Sequence, residues 1–284
     1  MELYFTKYRI STITSNANIY LKDYDERIDI DLIKLFNNIT INNNDKDNSF
    51  VYTSRFESKD SVEKIIRGNY LKKKRTVQSK RTFDNQISFV YKFRQNYYVN
   101  VKVFQNGNLH ITGSRKIDDI QVPINKLIEE IKLIKDNLIN IKDYDKDNIT
   151  FGNIQIFMIN TDFKVFKDIE LTKNFSIKRR TLHNILINDY NMIARFDPAT
   201  YPGVKIEYWW NTLTDDRDAA NYYDKRNVKS KSNIKDGIKK ITIAVFESGS
   251  ILITGAITIE QVDETYQFIC DIINKNKEII HFNI

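Results

Sequence analysis

Residues that could catalyse a reaction are few in this chain of 284 residues. The one cysteine, Cys270, lies in the apolar run YQFICDII, so we interpret it as a packing residue. His110 has no acidic or serine partner at local spacing, and the carboxylates cluster in loops that lack a calcium-binding pattern. The sequence therefore predicts no enzymatic activity, no small-molecule substrate, no metal site and no cofactor.

Binding chemistry is carried instead by a hairpin motif that occurs twice. NVKVFQNGNLHITGSRKIDD begins at Asn100, and TIAVFESGSILITGAITIEQ begins at Thr242. In each copy a strand-like run ends in Phe, a polar turn with Gly follows, and a second strand-like run ends in Ile-Thr-Gly. Phe, Thr and Leu on one face of such a hairpin are typical of a sheet that binds a ligand.

The two motifs belong to a duplication of the whole chain. Phe104 and Phe246 lie 142 positions apart, as do Thr112 and Thr254, and 142 is half the chain length. Repeats of this kind fix the architecture. We predict an N-terminal repeat at residues 1–145, with an insertion at about 37–85, and a C-terminal repeat at 146–284, with an insertion at about 211–237.

Each repeat contains the same predicted elements. First strands are RISTITSNA from Arg9 and QIFMINTDF from Gln155; first helices are DIDLIKLF from Asp29 and KRRTLHNIL from Lys178; closing amphipathic helices are VPINKLIEEIKLIKDNL from Val122 and IEQVDETYQFICDIINKN from Ile259. In NYYVNVKVF the valines alternate with polar and aromatic residues, which indicates a strand with one buried face. The sequence predicts an α+β fold with helices on one face of an antiparallel sheet.

The other face of that sheet is left open by the predicted elements. A partner subunit or the insertions are alternative covers for it. SVEKIIRGNYLKKKRTVQSKR, in the first insertion, is interpreted as a basic helix or a mobile arm. Its LKKKR run fits a nuclear-import signal, a phosphate contact or simply a solvated surface. The second insertion, from Thr212, is interpreted as a long exposed hairpin loop.

Charge and hydropathy narrow the class of protein further. The net charge of +7 favours a polyanionic partner such as nucleic acid, although ordinary soluble proteins also reach this value. No apolar run reaches the roughly 18 residues that span a bilayer, and the N-terminus has no secretory pattern. We therefore expect an intracellular protein without a membrane partner.

These motifs together resemble the TATA-box-binding protein family. FDPATYPGVKIEYWW from Phe196 resembles the family's stirrup, IAVFESGSILITGA from Ile243 its hairpin, and NIQIFMINTDF from Asn153 its first strand. The resemblance covers nearly the whole chain apart from the two insertions. It implies a pseudo-twofold saddle of two repeats, with a curved antiparallel sheet and helices on the convex face.

The resemblance also implies a function and a set of DNA contacts. Family members bind the minor groove with the concave face and wedge Phe side chains into base steps. Phe104 and Phe246 match the inner wedges, and Tyr201 matches the second wedge of the C-terminal repeat. For the N-terminal second wedge, Ile87 and Phe83 remain alternatives. The other predicted DNA contacts are Thr112, Thr254, Lys102, His110, Leu252, Arg115, Ile10 and Met158.

Departures from the family pattern lie on the same surface. Tyr8 and Ile156 stand where the family has a central Asn in each repeat, and Glu207 stands where it has an Arg. Fewer donors weaken the reading of A·T pairs, which present only acceptors in the minor groove. Two functions follow: an initiation factor on AT-rich promoter DNA, or a protein-interaction platform in the transcription machinery with weak or no sequence-specific DNA binding.

The resemblance extends to partners and source. Transcription initiation factors or RNA polymerase subunits are the expected protein partners. The divergent sequence and its AT-rich coding bias suggest a large DNA virus. The expected location is then the nucleus, a cytoplasmic viral factory or the virion.

Overall fold

The structure is a computed structural model that describes residues 2–22, 24, 28–41, 50–57, 65–68, 86–94, 97–211 and 238–282. It contains two compact units. The N-terminal unit is Thr12–Ile156, and the C-terminal unit is Met1–Ser11 together with Phe157–Ile284. The first eleven residues thus pack with the second half of the chain, whereas the sequence assigned them to the first repeat.

Side chains at the start of the chain account for this assignment. The Tyr8 hydroxyl donates to Asp263 Oδ1 at 2.6 Å. The Tyr266 hydroxyl donates to the Thr6 carbonyl at 3.0 Å, and the two tyrosine rings meet edge to face. Both partners come from the last long helix of the C-terminal unit. These contacts attach the N-terminal segment to that helix.

In the described part of the N-terminal unit, an antiparallel sheet is accompanied by two α-helices. Its elements are β2 (Arg9–Leu21, whose first three residues belong to the C-terminal unit), α1 (Leu32–Asn38), β3 (Phe50–Glu57), β4 (Ile65–Gly68), β5 (Gln86–Arg94), β6 (Tyr97–Phe104), β7 (Asn108–Ser114), α2 (Gln121–Leu133) and β8 (Ile149–Phe151). The strand order is β2-β7-β6-β5-β3-β4, and β8 pairs with the end of β2.

The C-terminal unit repeats this plan. Its elements are β1 (Tyr4–Phe5), β9 (Gln155–Phe166), α3 (Arg179–Asn188), β10 (Ile193–Arg195), β11 (Val204–Asn211), β12 (Ile238–Val245), β13 (Ser250–Ala256), α4 (Ile259–Lys275) and α5 (Lys277–Ile280). The strand order is β9-β13-β12-β11-β10, with β1 also paired to β9. In both units the chain runs strand, helix, antiparallel strands and helix, so the predicted α+β class is confirmed.

The duplication extends to the hydrogen-bonded register. Paired residues are Asn100 with Thr112 and Lys102 with His110 in one hairpin, and Thr242 with Thr254 and Ala244 with Leu252 in the other. Every pair is displaced by 142 positions from its counterpart. The turn glycines Gly107 and Gly249 are likewise 142 apart, and both have positive φ, +78° and +76°. The second hairpin therefore reproduces the first residue by residue.

One face of each sheet is buried against helices. In β6 the valines at positions 99, 101 and 103 are buried, while the residues between them are partly exposed, as the alternation predicted. In the C-terminal unit, Tyr208 contacts Phe268 of α4 at a ring distance of 4.9 Å. The predicted amphipathic helices are confirmed, but α2 ends at Leu133, whose side chain is 76% exposed and not part of the apolar face.

The insertions differ in part from the sequence-based interpretation. The first contains strand β3, and Ile65–Gly68, expected in a basic helix or arm, forms strand β4 paired with β3. β4 extends the sheet because β3 offers it an unpaired edge. The LKKKR run and residues 212–237 lie outside the described residues. β11 and β12 pair on either side of the second insertion, from Val204 with Val245 to Asn211 with Ile238.

Three features bear on the function classes that the sequence disfavoured. Cys270 is buried, and burial raises the pKa of its thiol to about 12, which keeps it protonated and unreactive. Across the described ranges no helix is both long and apolar enough to cross a bilayer. Over the same ranges, no group of three or more His, Cys, Asp or Glu side chains is placed to hold a metal ion.

The twin turns require glycine, which gives a direct test of the register. A Cβ at Gly249 would lie 2.7 Å from the Phe175 carbonyl oxygen and would sit on a backbone with positive φ. We expect Gly249→Ala to lower the free energy of unfolding by about 1–3 kcal/mol, measured by urea denaturation. Gly152→Ala is the matched control, because its nearest neighbour would be Tyr20 at 3.7 Å. Equal stability of the two variants would contradict the account.

Candidate nucleic-acid interface

The N-terminal unit carries a row of side chains on the sheet face opposite its helices. We call this set the N-terminal open face: Asn16, Asn100, Lys102, Phe104, His110 and Thr112. Alternation along β6 places Lys102 and Phe104 on this face, and cross-strand pairing places His110 beside Lys102. All six side chains are partly exposed. The structure therefore brings together four predicted contacts: Phe104, Thr112, Lys102 and His110.

The N-terminal open face is held by hydrogen bonds between polar side chains. His110 Nδ1 lies 2.7 Å from Asn16 Oδ1, so the ring nitrogen donates to the amide oxygen. Ser88 Oγ donates to Asn100 Oδ1, also at 2.7 Å. These bonds fix the positions of the amide groups, so the face presents a preorganised polar surface.

The charge state of His110 is set by its surroundings. Partial burial lowers its pKa, and the neighbouring Lys102 ammonium lowers it further. The imidazole is therefore neutral near pH 7, with Nδ1 as donor and Nε2 as acceptor. Positive charge on this part of the face comes from Lys102.

The C-terminal unit has a corresponding set on β9, β11, β12 and β13. We call this set the C-terminal open face: Met158, Asn160, Asp162, Lys205, Glu207, Thr242, Ala244, Phe246, Leu252 and Thr254. Pairing of Thr254 with both Thr242 and Asn160 puts these three residues in one row across the sheet. A groove of about 360 Å³ opens on this face between Arg195 and Leu252. Phe246, Leu252, Thr254 and Met158 of the predicted set lie here.

An aromatic pair stands at the end of this face. The rings of Tyr201 and Phe246 have centroids 5.7 Å apart, and the Lys205 ammonium lies 3.9 Å from the Tyr201 centroid. A Cβ at Gly203 would lie 2.9 Å from the Tyr201 ring and 3.1 Å from the Phe246 ring. Glycine at this position therefore permits the contact. The two wedge residues that the sequence predicted for this repeat are brought together.

An arginine that sequence reasoning missed supports this corner. Arg179, at the start of α3, donates to the Pro202 carbonyl and to Glu247, each at 2.5 Å. Its guanidinium also lies 5.3 Å from the centre of the Phe196 ring. The tip of the stirrup and the hairpin turn are thus joined by one side chain. Its position in a helix far from both segments gave no local signal in the sequence.

Acidic side chains on the C-terminal open face have basic neighbours. Arg9 Nε lies 2.7 and 2.9 Å from the two carboxylate oxygens of Asp162. Glu207 Oε1 lies 3.8 Å from the Lys240 ammonium, and only 19% of the Glu207 side chain is exposed. This face therefore combines an apolar centre with carboxylates that are offset by cations.

The remaining predicted residues lie elsewhere. Ile87 is 0% exposed and pairs with Val103 on the helix-facing side, as Val204 pairs with Val245, so its side chain is not part of the N-terminal open face. The Arg115 guanidinium stacks on Tyr97, whose ring faces the helices.

Two candidates need separate mention. Phe83 lies outside the described residues. Ile10 is partly exposed in β2 and belongs to the C-terminal unit. DNA contact by any of these residues stays a prediction.

The lowered pKa of His110 gives a pH test. Because the folded state binds a proton less readily than the unfolded chain, stability is full above pH 6.5 and falls as the pH drops through 6.5. His110 should therefore account for part of the stability that the wild type loses between pH 7 and pH 5. We expect His110→Asn to lose less stability than the wild type over this range, measured by thermal melting. His183→Asn is the control, and an unchanged pH profile in His110→Asn would contradict the assignment.

Comparisons with known proteins find a matching family model and a relative in sequence. The family model described as "Transcription factor TFIID (or TATA-binding protein, TBP)" matches residues 217–276. A "TATA-box-binding protein-like" protein of Acanthamoeba polyphaga mimivirus is 30% identical over 208 residues, which cover 69% of this chain. The chain spans about half of that relative, 49% of its length.

Among solved structures, Methanococcus jannaschii TBP is similar with a TM-score of 0.48 and 14% identity, over 95% of this chain and 99% of that one. The resemblance drawn from the sequence is confirmed by the matched family domain and the mimivirus relative. These two findings support a divergent, giant-virus-type protein that is similar to the TATA-box-binding protein family.

Proposed function

We propose that the protein is a transcription initiation factor that binds AT-rich promoter DNA in the minor groove through its two open faces. The observation that carries the proposal is the repeated hairpin. In identical register, it presents Phe104 with Thr112 and Phe246 with Thr254 on sheet faces that the helices do not cover. The structure thus supplies two equivalent sets of stacking and hydrogen-bonding groups.

The chemistry of these groups suits the minor groove. An A·T pair presents only acceptors there, and a threonine hydroxyl can donate to them. Phe is one of the side chains that wedge between base steps and bend the duplex toward the major groove. Tyr201 beside Phe246 would extend the wedge at one end, with Lys205 close enough to contact a phosphate.

Electrostatics favours the same ligand. The net charge is +7, and Lys102, Lys205 and Arg195 lie on or beside the open faces. Each phosphate neutralised by such a side chain releases counterions, so binding should weaken steeply as salt increases. Initiation factors or polymerase subunits would then dock on surfaces that DNA leaves free, in the nucleus, a viral factory or the virion.

A second function is favoured by the carboxylates. Asp162 and Glu207 lie on the C-terminal open face, where phosphate would repel them, and Tyr8 turns toward α4 rather than toward a ligand. A protein-interaction platform in the transcription machinery would tolerate both features. This alternative predicts that duplex DNA is bound without bending and without sequence preference.

Bending separates the two functions. We expect Phe104→Ala/Phe246→Ala to abolish DNA bending, measured by energy transfer between dyes at the duplex ends. Because stacking of a base on an aromatic ring contributes about 1–3 kcal/mol, affinity should fall by roughly tenfold or more. Phe282→Ala is the matched control, since this exposed ring lies near Lys178 and away from the open faces. Persistent bending in the double variant would rule out the wedge assignment.

A further inference from the structure

We infer that Glu207 selects a G·C pair at one position of the DNA site by accepting a hydrogen bond from the guanine N2 amino group. This inference rests on the proposed function. It makes Glu207 a specificity-determining residue and predicts a site that is not purely A·T.

Strand register places Glu207 in the same row as a predicted base contact. Strand pairing places it in one row across the sheet: Ile193, Glu207, Thr242, Thr254 and Asn160. Thr254 is a predicted base contact, and Glu207 stands two strands away in the same row. The row lies inside the C-terminal open face and not at its end. A ligand that reaches Thr254 therefore also meets Glu207.

Neighbouring cations make a carboxylate tolerable at this position. Lys240 lies 3.8 Å from Glu207, and Lys205 and Arg195 form a paired couple in the adjacent row. Their long side chains can reach the DNA backbone, whereas only 19% of the Glu207 side chain is exposed. The carboxylate is thus an acceptor at the floor of the groove, and the cations surround it.

The minor groove presents few groups that such an acceptor could bind. Adenine N3, thymine O2 and cytosine O2 are acceptors and repel a carboxylate, and the one donor is the guanine N2 amino group. The hydroxyls of Thr242 and Thr254 can donate to the acceptors of adjacent pairs. The row therefore matches a G·C pair next to an A·T pair.

Neither the equivalent residue of the N-terminal unit nor the other carboxylate of the C-terminal open face could make the same contact as Glu207. In the N-terminal unit the equivalent residue is Val90, which pairs with Asn100 as Glu207 pairs with Thr242. Asp162, the other carboxylate, already accepts two bonds from Arg9. Guanine selection is thus expected at one position, in the half of the site that the C-terminal open face contacts.

Inosine isolates the proposed contact, because it lacks the guanine N2 amino group and leaves the major-groove edge unchanged. The full chain is titrated with AT-rich duplexes in which each A·T pair in turn is replaced by G·C in either orientation. At the preferred G position, replacement by inosine should weaken binding of the wild type by about tenfold. At every other position the same replacement should have no such effect.

Variants of Glu207 test whether its side chain causes the difference in binding between guanine and inosine duplexes. Glu207→Ala should bind guanine and inosine duplexes equally, and Glu207→Gln, which keeps an acceptor oxygen, should retain part of the difference. Glu260→Ala is the control, because this exposed glutamate lies on the first turn of α4. Circular dichroism and thermal melting confirm that each variant folds, and the wild-type comparison needs no variant.

The outcomes separate the inference from the proposed function. Equal wild-type binding to guanine and inosine duplexes overturns the inference and leaves minor-groove binding intact. If Glu207→Gln binds all duplexes more tightly to the same extent and does not select guanine, the inference is also overturned. Glu207 would then only repel DNA. Failure to bind any duplex at low salt overturns both.

Discussion

The hydrogen-bonded register of the two hairpins is the constraint on which the rest of the structure depends. Register decides which side chains face the helices, and a slip of one residue would exchange the two faces. The turns at Gly107 and Gly249 fix it, because each has a positive φ that other residues adopt only with strain. From this one constraint follow the buried valines of β6 and the partly exposed Phe104 and Phe246.

The two hairpins share one backbone register but present different side chains on their open faces. Lys102 and His110 occupy the positions that Ala244 and Leu252 occupy in the second copy. The N-terminal open face is consequently a network of amides, imidazole and ammonium, whereas the C-terminal one is apolar at its centre and bordered by charge. Duplication supplied the scaffold twice, and the solvent-facing positions diverged in polarity while the helix-facing ones stayed apolar, as at Val101 and Ile243.

Sequence periodicity predicted the elements that carry a strong repeating signal, such as β6, α3 and α4. It missed β3 and β4, because sheet extension depends on a free strand edge and not on local pattern. Phe246 and Tyr201 were predicted together because their motifs are intact. Ile87 lies on the helix-facing side and Arg115 lies against Tyr97, because alignment does not reveal which face a side chain takes. Arg179 and the pairing of Arg9 with Asp162 join distant segments and so leave no local signal.

The central claim is that the open faces form a sequence-reading DNA surface. A gel-shift titration of the full chain at low salt, with TATA-containing and scrambled duplexes of equal base composition, tests it most directly. Because each wrong base pair costs about 1–3 kcal/mol, the TATA-containing duplex should bind at least about tenfold more tightly, with a steep loss as salt rises. Equal affinity for the two duplexes, or no shift of either, would contradict the account.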